Sequence, residues 1–96
     1  MAQYRTQVRI IADVLSTARD MNTEGSGVGI TTLLRKGNVS YTRMAKMLSE
    51  LVGSGLLEEL NNSEKVSKYR ISEKGIQFLA AYSSFEDFAQ SFGLRL

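Results

Sequence analysis

Residues 30–57, ITTLLRKGNVSYTRMAKMLSELVGSGLL, constrain the fold more than any other stretch of the chain. They read as a short helix, a tight corner and a second helix that ends at a pair of glycines. Gly37 stands where a helix C-terminus calls for positive φ, and Ser40 stands where the next helix needs an N-cap oxygen. Val39, just before that cap, and Met44, at the fourth helical position, have the spacing of a hydrophobic staple, which fixes the angle at which the chain joins the helix. Together these signals predict a helix-turn-helix.

The second helix, expected over residues 41–52, has two faces. At helical periodicity Tyr41, Met44, Ala45, Leu48, Leu51 and Val52 fall on an apolar side, and Thr42, Arg43, Lys46, Ser49 and Glu50 on a polar one. The polar side carries its cations and hydroxyls in the first two turns, the part of a recognition helix that reaches base edges and phosphates in a major groove. An ordinary solvated face has the same composition, so this helix by itself leaves both readings open.

Residue types that are missing narrow the function. The 96 residues include no cysteine and no histidine, so disulfides, thiolate or imidazole metal sites and the usual general base of acyl transfer are all absent. The ten carboxylates and several serines fall in no spacing that implies catalysis, and no enzyme is expected. No apolar run approaches a membrane span and no signal-peptide pattern is seen, so a single soluble domain is expected, cytoplasmic and associated with the nucleoid. With no proline, the breaks in the chain fall to glycine and asparagine.

The formal net charge is only +2, but its distribution is uneven. Arg35, Lys36, Arg43 and Lys46 lie in one stretch without an acid, and Lys65, Lys68, Arg70 and Lys74 lie in another with Glu73 alone among them. Glu50, Glu58, Glu59 and Glu64 separate the two. Two basic patches meeting on one surface of a small fold would form an electrostatic footprint for a polyanion.

The remaining segments complete a fold. Tyr4, Val8, Ile11, Leu15 and Ala18 recur in steps of four and three, widened by Ile10, Val14 and Met21, and predict a first helix over residues 4–21 whose Arg5, Arg9 and Arg19 form a solvated back. The glycine-rich stretch 22–29 matches neither the dinucleotide fingerprint nor the Walker pattern and reads as a flexible link with room for a short strand. Residues 56–60 and 66–72 read as two strands, with Tyr69 and Ile71 alternating against Lys68, Arg70 and Ser72, joined by a polar turn at 61–65. A basic hairpin directly after a recognition helix is a wing, whose Lys65, Lys68 and Arg70 would lie along a minor groove or the flanking backbone; a hairpin that merely closes the core is the alternative.

From a cap at Ser72, Phe78, Tyr82, Phe85, Ala89 and Phe92 then alternate in steps of four and three, a heptad seam. That stripe is too large for the core of so small a fold and reads as a two-fold dimer surface, the alternative being a helix folded back on its own domain. Ser84 and Asp87 have capping-box spacing and could break the helix after Tyr82. The expected architecture is mainly α with a small β-hairpin. It is a winged helix-turn-helix over residues 1–96, with helices at 4–21, 29–36 and 41–52, a wing at 56–72 and a long C-terminal dimerisation helix at 73–92.

NVSYTRMAKMLSELVGSGLLEE followed by KYRISEKGIQFLAAY resembles the small archaeal winged-helix DNA-binding proteins of the 10a type, which end in a dimerising coiled-coil helix. The likeness rests on Asn38, Val39, Ser40 and Tyr41 at the start of the recognition helix, on residues 69–75 running from an aromatic strand into a Ser-Glu-Lys-Gly helix start, and on Phe78 and Leu79. It covers about residues 28–82. The chain departs from the family where a basic residue often precedes the second helix: Val28 and Gly29 stand there, leaving Thr31 and Thr32 to meet the backbone. The resemblance implies a dimer that binds duplex DNA, in transcriptional control or chromosome organisation.

The expected function is therefore a homodimeric DNA-binding regulator without cofactor, metal or evident small-molecule ligand. Thr42, Arg43 and Lys46 would read the major groove, and Ser40, Tyr41, Arg35 and Lys36 would hold phosphates. Four glutamates near the cationic patches favour site-selective binding over sequence-independent coating of chromosomes. A winged helix that binds protein, as an adaptor, is the reading from another class.

Overall fold

The computed structural model describes residues 6–22, 25–61 and 67–94. In chain order the elements are α1 (Gln7–Asp20), β1 (Val28–Gly29), α2 (Ile30–Gly37), α3 (Tyr41–Gly53), β2 (Leu57–Asn61), β3 (Ser67–Ile71) and α4 (Glu73–Gln90). Thr6 caps α1, its hydroxyl accepting from the Arg9 N–H at 3.1 Å, so the helix begins later than its apolar repeat suggests. Tyr4 and Arg5 lie outside the described residues. Ile10, Ala12, Val14, Leu15 and Ala18 carry the burial, while Val8 and Met21, placed on the buried stripe by spacing, are exposed. The apolar arc is wider than the surface its neighbours cover, and its flank stays in solvent.

At the corner between α2 and α3 the residue with positive φ is Asn38, at +55°, and not Gly37. Asparagine tolerates the left-handed region, and here its N–H returns to the Leu34 carbonyl at 3.2 Å. Gly37 is needed for another reason: a Cβ there would stand 2.9 Å from Met44 Cε and 4.0 Å from Val39 Cγ2. The two staple residues thus close over a backbone that must carry no side chain. At the other end of α3, Gly55 takes φ +85° and the Leu56 N–H reaches the Leu51 carbonyl at 2.9 Å while the Gly55 N–H reaches Val52, a Schellman closure.

The sheet has three antiparallel strands in the order β1-β3-β2, so the glycine-rich link supplies a strand alongside the expected hairpin. Leu57 pairs with Ile71, Glu58 with Arg70, Glu59 with Tyr69 and Leu60 with Lys68, while Val28 pairs with Tyr69 across the other edge. Directly opposed residues share a face. Val28, Leu57 and Ile71 therefore form an inner face in the core with Leu33, Met44, Leu48 and Leu15, leaving Glu58, Lys68 and Arg70 on the outer one.

α4 starts at a Ser72 cap that accepts from the Gly75 N–H at 3.0 Å and runs unbroken through Ser84 and Asp87. No helix among the described residues is long and apolar enough to cross a membrane. The expected seam along α4 is divided. Phe78 and Tyr82 pack on the domain's own core, and Ala89 is buried at 3% exposure, whereas Phe85, Phe88 and Phe92 are 57%, 62% and 67% exposed. The exposed rings keep the three-four spacing but in a phase that includes Phe88 in place of Tyr82 and Ala89. The Tyr82 side of α4 faces the domain because Phe78, Leu79 and Tyr82 pack on its core, and Arg9 Nη1 bonds Glu86 Oε2 at 2.9 Å on the same side.

Candidate nucleic-acid interface

Thr42, Arg43 and Lys46 are all exposed on α3, with Ser49 and Glu50 beside them, and Met44, Met47, Leu48 and Leu51 are buried beneath. Met47 joins the buried side, which the apolar periodicity had not assigned. Tyr41, placed by spacing on that side, is 62% exposed. As the first residue of α3 it overhangs the corner, beyond the reach of the core. Its phenol lies near that of Tyr69 on β3: burial, then Glu59, then Tyr41 push the Tyr69 hydroxyl above its ordinary pKa.

Ser40 caps α3, its oxygen accepting from the Arg43 N–H at 3.2 Å, which leaves the hydroxyl proton free to donate outward. Arg35 and Lys36 are exposed in the last turn of α2, where cations suit the helix dipole. Thr31 is exposed and Thr32 half-buried at the start of that helix, which has no side-chain cap. Arg43 and Lys46 border a shallow cleft with Gln7, Met47 and Glu50, and Arg43 Nη2 donates to Gln7 Oε1 at 3.3 Å.

Cations are treated differently in different parts of the fold. Arg9 meets Glu86 and Asp13, Arg19 meets Asp20 and Arg70 meets Glu58. Among the described residues, Arg35, Lys36, Arg43 and Lys46 have no carboxylate partner. The described arginines outside the helix-turn-helix are ion-paired, whereas those within it are not.

The hairpin is less basic than its sequence suggests. Arg70 Nε and Nη2 both reach Glu58 Oε1, at 2.9 and 2.8 Å, directly across the strands, so the cation expected to lie on DNA is engaged by an acid. Register decides this pairing. Lys68 is half-buried on the same outer face and has no ion pair among the described residues. Glu59, on the inner face with Tyr69, accepts from the Ser67 hydroxyl at 2.7 Å. Lys65 lies outside the described residues.

With helix, corner, helix and hairpin in this arrangement, the chain can be placed among known folds. A family model described as winged helix-turn-helix matches residues 4–90. The chain belongs to the winged helix-turn-helix family. Its fold is similar to the crystal structure of Sso10a-2, a DNA-binding protein from Sulfolobus solfataricus, with a TM-score of 0.75 and 23% identity over 92% of this chain and 85% of that one. No curated protein matches the sequence.

In this winged helix, α3 is the second helix of the helix-turn-helix, and the β2–β3 hairpin follows it in the chain. Two residues of interest escape a reading of the sequence. Phe88 was available, since Phe85, Phe88 and Phe92 are also spaced by three and four. Gln7 was not: nothing local connects the first residue of α1 with a recognition-helix arginine 36 positions away.

Proposed function

We propose that this winged helix binds duplex DNA as a homodimer and regulates transcription, with α3 in the major groove and the wing along the flanking backbone. The observation that carries this reading is the set of uncompensated cations on α2 and α3, against the paired arginines elsewhere. A surface on which Arg35, Lys36, Arg43 and Lys46 form no ion pair is suited to phosphates, which release counterions when neutralised. Similarity to a fold neighbour described as DNA-binding supports the same conclusion.

Thr42, Arg43 and Lys46 face base edges in this proposal, Arg43 as a bidentate donor to guanine. Ser40, Tyr41, Arg35 and Lys36 hold phosphates, and Lys68 is the wing's available cation among the described residues. Exposed Phe85, Phe88 and Phe92 on α4 supply the apolar surface for the second protomer.

Binding-site selection on purified protein, followed by a salt titration on the selected duplex, tests the proposal. If each protomer neutralises about four phosphates, the log–log slope is about −7. A sharp palindromic site supports selective regulation, and broad occupancy supports chromosome organisation. Failure to bind any duplex at low salt removes the proposal in favour of a protein adaptor.

A further inference from the structure

Resting on that DNA-binding reading, we propose that Gln7, at the first position of α1, is a positioning residue for Arg43, so that the reading surface includes the first turn of α1 as well as the helix-turn-helix. The Gln7 amide oxygen accepts from Arg43 Nη2 at 3.3 Å. This bond uses one of the five guanidinium N–H donors and leaves the others for an outside acceptor. Arg43 is the described cation of the helix-turn-helix that is held by another element, and the holder is uncharged. A neutral amide can orient a guanidinium without cancelling its charge, whereas a carboxylate in the same place would do both.

The placement of Gln7 is itself fixed at two points. Thr6 caps the turn by accepting from the Arg9 N–H at 3.1 Å, and the Arg9 side chain is bonded to Glu86 of α4. The amide thus stands on an anchored helix end. Gln7, Arg43, Lys46 and Glu50 line a shallow cleft over Met47, which is only 2% exposed, so the bond crosses a gap with a packed floor. A long side chain held from the side samples fewer orientations before it meets a base edge, and that pre-organisation improves discrimination more than general affinity.

The test compares Gln7→Ala, Arg43→Ala and the double variant on the selected duplex and on random duplex, alongside the unaltered protein. Gln7→Ala is expected to lower the ratio of selected-site to random-site affinity by about threefold to tenfold, with no change in salt slope, and the two substitutions are expected to be non-additive. Gln7→Glu is expected to lower selected-site affinity further and to flatten the salt slope by about 0.9 per protomer, because the new carboxylate neutralises Arg43. The guanidinium N–H resonance of Arg43, read by NMR on free protein, is expected to broaden in Gln7→Ala while thermal stability stays unchanged. An unchanged affinity ratio, or additive effects, in a protein that still binds DNA overturns the role of Gln7 alone; absence of duplex binding by the unaltered protein overturns both readings.

Discussion

Arg9 and Glu86 meet at 2.9 Å, Nη1 to Oε2, across 77 positions of sequence, and Arg9 reaches Asp13 of its own helix at 3.6 Å. This bridge ties the first turn of α1 to the C-terminal half of α4, next to its exposed aromatic rings. Beside it, the Tyr82 hydroxyl is buried close to Arg9 without reaching hydrogen-bond geometry. Because both charged groups keep partial contact with solvent, the coupling in an Arg9→Ala, Glu86→Ala cycle is expected at about 0.5–1 kcal/mol by urea unfolding, weakening with salt. Tyr82→Phe is expected to be neutral or to stabilise by up to about 1 kcal/mol, since it removes an unpaired buried hydroxyl. A clear loss of stability there would mean that Arg9 uses the phenol.

The Glu58–Arg70 pair makes a prediction about the wing. Glu58→Gln releases Arg70 without changing the shape of the strand. Anisotropy measurements on random duplex are expected to show tighter binding and a salt slope steeper by about 0.9 per protomer. Arg70→Ala in the otherwise unaltered protein is expected to change the slope less than Lys46→Ala does. The reverse order would place Arg70 on DNA despite its partner.

Two helical glycines are expected to respond oppositely to alanine. At Gly53, the last residue of α3, a Cβ meets nothing within 4 Å, and Gly53→Ala is expected to stabilise by about 0.4–1 kcal/mol through the unfolded chain. At Gly75 a Cβ would press on the Leu56 carbonyl and stand 2.7 Å from Ile71 Cγ1. Backbone cannot move aside as a side-chain tip can, so Gly75→Ala is expected to cost at least about 1–3 kcal/mol. Paired denaturation curves decide both.

For the proposed dimer, the exposed phase of α4 predicts which substitutions separate the protomers. Each buried phenylalanine contributes about 1.5–3 kcal/mol, so Phe88→Ala is expected to weaken association measurably in sedimentation equilibrium, and Phe88→Glu to abolish it. Ile76→Ala, on an exposed part of α4 before the aromatic cluster, is expected to leave the oligomeric state unchanged. Loss of association from the Ile76 variant with none from Phe88 would move the interface elsewhere.

Tyr69 predicts an alkaline effect. Burial, Glu59 and Tyr41 raise its pKa, so the folded state holds the phenolic proton more tightly than the unfolded state does. The resulting stabilisation is fully present below the unfolded value of about 10 and is lost as pH rises through the higher folded value. Phenolate absorbance is expected to show a late component that Tyr69→Phe removes. The variant is also expected to lose less stability in that alkaline window than the unaltered protein.

Local chemistry made much of this fold legible. The Ser40 and Ser72 caps, the Val39 and Met44 staple, the Gly55 closure and the strand alternation at Tyr69 and Ile71 all depend on residues a few positions apart, and the structure has each of them. What depended on distant partners could not be read in that way. Helical period is compatible with two aromatic phases on α4, and packing of Phe78, Leu79 and Tyr82 on the core, joined by the bond from Arg9 to Glu86, decides between them. Strand register set Glu58 against Arg70 and engaged a cation of the hairpin, and the approach of Met44 gave Gly37 a packing role while Asn38 took the positive φ. Sequence determines which faces are apolar and where elements can stop, because those are short-range properties. Tertiary structure decides which charges remain uncompensated, because an ion pair forms between side chains that packing brings together.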